Sequence, residues 1–123
     1  MLQTLRILIV DDQQHTRRSL KALLATRFRL VDTCEAANGR EAVRCAEECK
    51  PDLVLMDARM PEMDGIEATR LIKAQLAHIP VIILSMYMEY RDAALAAGAN
   101  AFLLKGEPVE QLLAVLMAAC STN

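Results

Sequence analysis

The chain has 123 residues, of which 54% are hydrophobic and 24% charged, and its formal net charge is -2. That length makes one domain able to bury a real core, and the composition excludes disorder and collagen-like repeats. A slightly acidic balance argues against nucleic-acid binding by bulk charge, and 2 Tyr, 2 Phe and 0 Trp are too few for stacking platforms.

Met1 to Val10 is short and runs straight into Asp11 and Asp12, so it does not read as a signal peptide. No apolar run approaches the ~18 residues of a transmembrane span. Cys34, Cys45, Cys49 and Cys120 form no CxxC. Cys45 and Cys49 fall on one helix face, but two thiols cannot complete a tetrahedral zinc site. Reduced thiols in a cytoplasmic protein are the expectation.

In chain order, Leu5 to Val10 is an almost continuous apolar run, which predicts a strand of a parallel sheet covered on both faces. Leu20, Leu23, Leu24 and Phe28 recur at helical spacing and predict a first helix over Gln14 to Thr26. Leu30 to Glu35 reads as a weaker strand nearer an edge, and Asn38-Gly39 punctuates before a short helix over Glu41 to Glu48, with Val43 and Ala46 inward. After Pro51-Asp52, a third strand covers Leu53 to Met56 and ends at Asp57. Pro61 and Asp64-Gly65 shape the next loop, and Ile66 to Leu76 follows as a helix with Leu71 and Ile72 inside. Pro80 opens the strand Val81 to Leu84, which ends at Ser85. Arg91 to Ala97 is a small-residue helix with Gly98 as its cap. Ala101 to Leu104 is a last strand ending at Lys105. Val109, Leu112, Leu113, Leu116 and Met117 form the stripe of a fifth helix. Strands alternating with helices through short connections give a three-layer α/β domain.

In a doubly wound sheet, functional groups collect beyond the carboxyl ends of the strands. That rule selects Asp11, Asp12, Asp57, Ser85 and Lys105. Carboxylates crowded into one crevice repel one another unless a cation compensates. Hard oxygen donors without thiolates or clustered histidines suit Mg2+. Asp57 has the place of a nucleophile toward phosphorus, Lys105 of a charge partner and Ser85 of a hydrogen-bond donor.

Asp11-Asp12, Asp57 within MDARMPEMDG, Ser85 and Lys105 together resemble the signature of a bacterial response-regulator receiver domain, over residues 5 to 119. The resemblance implies the flavodoxin-like (β/α)5 fold, with a five-stranded parallel sheet in the order 2-1-3-4-5. It implies that Asp57 accepts a phosphoryl group from a sensor histidine kinase. Mg2+ would be held by Asp12, Asp57 and the Arg59 carbonyl, with Asp11 directly or through water. Ser85 and Lys105 would bind the phosphoryl group, and Phe102 would be the switch aromatic. The output face would be the fourth helix, fifth strand and fifth helix. Such a domain catalyses only its own aspartyl phosphorylation and dephosphorylation.

Met86 follows Ser85 where many receivers carry a small residue, and its bulk would narrow access to the pocket. LSMY and AFLLKGEPVEQLL resemble receivers attached to a LuxR-like helix-turn-helix. Residues 120–123 would then begin a linker to an absent DNA-binding domain. Homodimerisation on phosphorylation is the accompanying expectation, with no DNA or membrane binding by this segment itself.

Other residues invite plainer readings. Met56 and Met117 are expected in the core, and Met60 packs the loop after Asp57. His15 and His78 are surface residues, and Arg17 and Arg18 a solvated helix face. Met86, Tyr87, Met88 and Tyr90 are equally compatible with burial and with a regulated protein contact. The competing functions are a pseudo-receiver that only binds protein and a stand-alone receiver acting on a protein target. An aspartyl phosphatase is disfavoured because Arg59 stands where its second acid is needed. A nucleotide- or flavin-binding domain lacks its glycine motifs.

Overall fold

The computed structural model describes residues 5–28 and 31–120. Its elements are β1 (Leu5–Val10), α1 (Gln14–Arg27), β2 (Val31–Ala36), α2 (Gly39–Cys49), β3 (Leu53–Asp57), α3 (Gly65–Gln75), β4 (Val81–Ser85), α4 (Arg91–Ala96), β5 (Ala101–Leu104) and α5 (Val109–Cys120). A single 3-10 turn, Met88–Tyr90, leads into α4. The strands form one parallel sheet in the order β2-β1-β3-β4-β5, as the resemblance implies.

The pleat divides the apolar strands between two cores. Leu8, Val10, Val54, Met56, Val81 and Ile83 face α2, α3 and α4, where Ala42, Ala46, Ala68, Ile72 and Ala94 meet them. Ile7, Ile9, Leu53, Leu55 and Ile82 face the other way, against Leu24 of α1 and Leu113 and Leu116 of α5. Full burial of such a side chain stabilises by roughly 1.5–3 kcal/mol, and burial on both faces is why β1, β3 and β4 read as nearly continuous apolar runs. The edge strands β2 and β5 are only half-buried. Among the described residues, no helix is long and apolar enough to cross a membrane.

Local chemistry sets the helix ends. α2 begins at Gly39, before the expected Glu41, because Asn38 caps it: Asn38 Oδ1 accepts the Glu41 amide at 2.9 Å, and Glu41 Oε1 accepts the Ala37 amide at 3.2 Å. This reciprocal pair satisfies two otherwise orphaned donors. Asp64 caps α3 through the Glu67 amide at 2.8 Å. Gly98, at φ +105°, ends α4 in a backbone region closed to most side chains. At the far end of α3, Lys73 Nζ donates to the carbonyls of Ala77 and Ile79 and to Asn100 Oδ1, tying the α3–β4 and α4–β5 connections together.

Two expectations change. Met117 is 62% exposed and not in the core. Leu113 and Leu116 take the sheet-facing positions, and Met117 lies one helical step past Leu116, on the solvent side. Val43 is half-buried and packs against the core beside the buried Ala42 and Ala46, as expected. Met86, Tyr87 and Met88 are 65%, 51% and 56% exposed, so burial does not account for them. Met56 is fully buried and Met60 packs beside the α2–α3 core, as expected. α5 runs on to Cys120, and residues 121–123 of the expected linker lie outside the described residues.

Candidate functional site

The sheet order brings the carboxyl ends of β1, β3, β4 and β5 side by side, and the residues chosen by that rule converge. Asp11, Asp12 and Asp57 each offer a carboxylate oxygen within 4.8 Å of the others. Asp11 is buried, Asp12 exposed, and the Asp57 side chain 13% exposed. Lys105 Nζ enters from the end of β5, 2.9 Å from Asp11 Oδ2 and 3.4 Å from Asp57 Oδ1.

Every polar group of Asp11 is engaged. Its amide donates to the Ala36 carbonyl at 3.1 Å. Its Oδ1 accepts the Gln13 amide at 2.9 Å, its Oδ2 accepts Lys105, and its carbonyl accepts Arg17 Nη1 at 2.6 Å. Asp57 is held differently. Burial pushes its carboxyl above the ordinary range; Lys105 opposes this, Asp11 adds to it by repulsion, and the Arg59 amide bonded to the carboxylate also opposes it. For Lys105, burial alone would favour the neutral amine. The hydrogen bond to Asp11 and the attraction of both carboxylates outweigh burial and hold the ammonium above its ordinary value.

The loop after Asp57 is pinned from three sides. Ala58 donates to the Leu84 carbonyl at 3.1 Å, Gly65 to the Ala58 carbonyl at 2.9 Å, and Gly39 to the Met63 carbonyl at 2.9 Å. A Cβ on Gly65 would lie 1.9 Å from the Asp57 carbonyl oxygen, so only glycine allows α3 to start this close to the end of β3.

Ser85 is buried at the end of β4. Its Oγ accepts the Tyr87 amide at 3.0 Å and donates to the Tyr87 carbonyl at 3.2 Å. The Lys105 amide donates to the Ser85 carbonyl at 2.7 Å, which joins the two strand ends. Phe102 is half-buried opposite Ile83 and packs against the α2–α3–α4 core. The exposed Met86 stands next to Ser85.

Arg17 departs from its expected place on a solvated face. Its side chain is only 14% exposed and bridges the Asp11 carbonyl to Glu35 Oε1, the latter at 2.9 Å. The one available sequence signal is that Arg17, Leu20 and Leu24 share the i, i+3, i+7 spacing of the inward face of α1. Arg18, His15 and His78 are exposed, as expected.

The donor set is chemically suited to a hard divalent cation: closely spaced carboxylates with one partly exposed, and no thiol or imidazole among them. A carboxylate held above its ordinary value by burial, beside an ammonium and two further acids, has the chemistry of a nucleophile toward phosphorus.

Residues 7–117 match the response regulator receiver domain family. The response regulator protein VraR of Staphylococcus aureus is 40% identical over 104 residues, which cover 83% of this chain and 50% of that protein. The chain thus spans about half the length of the curated relatives it matches. A two-component response regulator of the LuxR family from Aurantimonas sp. SI85-9A1 superposes with a TM-score of 0.86 at 32% identity, over 97% of this chain and 87% of that one. The response regulator TrrA of Thermotoga maritima, solved in complex with Mg2+ and BeF, superposes with a TM-score of 0.87 at 29% identity, over 94% and 99% of the two chains. The breadth of the match, with the acidic cluster at its centre, shows that the chain belongs to the response regulator receiver domain family.

Proposed function

We propose that this chain is the phosphorylation-controlled switch of a two-component system, with Asp57 as phosphoacceptor and a sensor histidine kinase as donor. An Asp57 carboxylate oxygen attacks the phosphorus of a phosphohistidine. The P–N bond breaks, its electron pair stays on the imidazole, and an acyl phosphate forms on Asp57. Asp12, Asp57 and the Arg59 carbonyl would hold Mg2+, with Asp11 directly or through water; the cation supplies charge neutralisation for the phosphoryl oxygens. Lys105 pairs with one phosphoryl oxygen and Ser85 bonds another, leaving its present partner. Phe102 follows the displacement of Ser85, and Met86 stands at the rim of the pocket. Catalysis by the domain is limited to its own phosphorylation and dephosphorylation.

The observation that carries this reading is the placement of the Asp57 carboxylate 3.4 Å from Lys105 and in one cluster with Asp11 and Asp12. Incubation with Mg2+ and a small phosphodonor, or with the kinase, should add one phosphoryl group. An Asp57→Asn variant that labels equally would overturn the assignment.

The output is proposed at the face of α4, β5 and α5. The exposed Met86, Tyr87 and Met88 beside it favour a protein contact there, including homodimerisation of the phosphorylated form. The similarity to a LuxR-family regulator, together with a match that covers only 50% of the relative VraR, supports DNA binding through a domain beyond residue 123 in a cytoplasmic regulator. An equilibrium sedimentation run with and without phosphodonor tests the dimer. A dimer mass in both runs would make the face act independently of phosphorylation, as in a pseudo-receiver, and a monomer mass in both would overturn the dimer.

A further inference from the structure

Asp11 and Asp12 share one peptide plane, and the carbonyl of that plane is the group Arg17 holds. Arg17 Nη1 lies 2.6 Å from the Asp11 oxygen, while its Nε is anchored 2.9 Å from Glu35 Oε1 at the end of β2. The Arg17 amide also donates to the Gln13 carbonyl at 3.2 Å, the opening helical bond of α1 just after the turn that carries Asp11 and Asp12. The two carboxylates served by this turn differ in their own restraints. The Asp11 side chain is fixed by Lys105 and the Gln13 amide. Asp12 is exposed, so its direction depends on the backbone that carries it. A planar peptide transmits any rotation at the Asp11 carbonyl directly to the Asp12 amide and Cα.

We infer that Arg17 is a positioning residue of the acidic site: it locks the Asp11–Asp12 peptide so that Asp12 joins Asp11 and Asp57 around a divalent cation. The inference rests on the Mg2+ reading proposed above. It goes against simple electrostatics, because a guanidinium this close to a cation site repels the cation, with Glu35 offsetting only part of the charge. Removing Arg17 therefore has two effects of opposite sign. Loss of repulsion would tighten Mg2+ binding, and loss of the locked peptide would weaken it. Partners that orient ligating groups commonly change metal affinity by about 10–100-fold, so the positioning effect is the larger.

The test is titration calorimetry with Mg2+ alone on the unphosphorylated chain, with melting curves to establish that each variant is folded. Arg17→Ala should bind Mg2+ about tenfold more weakly. Arg17→Lys, which still reaches the carbonyl, should recover most of the loss, and Arg18→Ala, which removes the same charge from an exposed position, should bind within about twofold of wild type. Should Arg17→Ala not fold, Arg17→Met carries the test: it keeps the packed stem, drops the bonds to the Asp11 carbonyl and to Glu35, and should weaken binding about tenfold. Equal or tighter Mg2+ binding by a folded Arg17→Ala, or by Arg17→Met in its place, overturns the positioning role while leaving the cation site standing. A wild-type chain that binds no Mg2+ overturns the cation site, and the inference with it.

Discussion

Lys105 gives its shorter contact, 2.9 Å, to Asp11 and its longer one, 3.4 Å, to Asp57. One ammonium thus serves two carboxylates that repel each other, and Asp57 has the weaker share. Asp57 is consequently the less compensated group, and burial and Asp11 together push its carboxyl up against the pull of Lys105.

A carboxyl held above its ordinary value binds its proton more tightly folded than unfolded, so ionising it at neutral pH costs stability. Asp57→Asn removes that cost, and Lys105 keeps its bond to Asp11. Urea denaturation in EDTA should show the variant more stable at pH 7 by about 1 kcal/mol, within the usual range of single substitutions. The gain should shrink as the pH falls toward the unfolded carboxylate value of ~3.9. A midpoint at or below wild type at pH 7 would contradict the strain assigned to Asp57.

Gly65 and Gly106 make a matched pair of substitutions. An alanine Cβ at Gly65 meets the Asp57 carbonyl oxygen at 1.9 Å and Met56 Cγ at 2.8 Å, whereas at Gly106, with φ +91°, it meets nothing within 4 Å. Gly65→Ala must therefore move α3 or the end of β3, at about 3 kcal/mol or more. Gly106→Ala carries only the left-handed backbone penalty of about 1–2 kcal/mol. The thermal melts should rank in that order, and Gly65→Ala should also lose phosphoryl uptake. Equal melting temperatures would show that the β3–α3 junction relaxes freely.

The two substitutions also mark what the sequence could and could not tell. Apolar runs ending in Asp11, Asp57, Ser85 and Lys105 announce the strands and the site together, because strand ends and chemistry coincide in this fold. Asp64-Gly65 reads only as a loop, since no local pattern reveals that the glycine must clear a carbonyl eight residues earlier. Arg17 looks like an ordinary solvated helix residue because its partners, the Asp11 carbonyl just past β1 and Glu35 of β2, lie at the ends of two different strands. Met117 looks like core because helical spacing defines a stripe and not its angle to the sheet. Long-range backbone contacts and helix rotation were therefore the illegible part.

The Cys34 thiol is pushed up to about 12, first by burial and then by its hydrogen bond to Cys49. Its thiolate fraction at pH 8 is about a thousandfold below that of an ordinary cysteine, and the greater nucleophilicity of a basic thiolate recovers only part of this. Alkylation of Cys34 by iodoacetamide at pH 8, followed by peptide mass spectrometry, should be at least about tenfold slower than in an unfolded control. Its rate should climb about tenfold per pH unit through pH 10. Labelling as fast as in the unfolded chain would exclude the raised, half-buried thiol.

Ser85 has one hydroxyl proton, and it is committed to the Tyr87 carbonyl. It cannot also be given to a phosphoryl oxygen on Asp57, so a bond to that oxygen must release the Ser85 hydroxyl from the Tyr87 carbonyl. Tyr87 and Tyr90 touch edge to face with ring centroids 6.2 Å apart, and they are the chain's 2 tyrosines, with 0 tryptophans to mask them. Tyrosine fluorescence is therefore a built-in reporter on this one segment. Mg2+ with beryllofluoride, a phosphoryl mimic, should change the emission of the wild type and leave Asp57→Asn unaltered. Ser85→Ala, which lacks the hydroxyl that couples the two places, should show less than about half the wild-type change. This follows if the hydroxyl carries most of the coupling, as a single buried hydrogen bond of about 1 kcal/mol can when two states are closely balanced. An undiminished response in Ser85→Ala would move the coupling to another path, such as the Lys105 amide bonded to the Ser85 carbonyl.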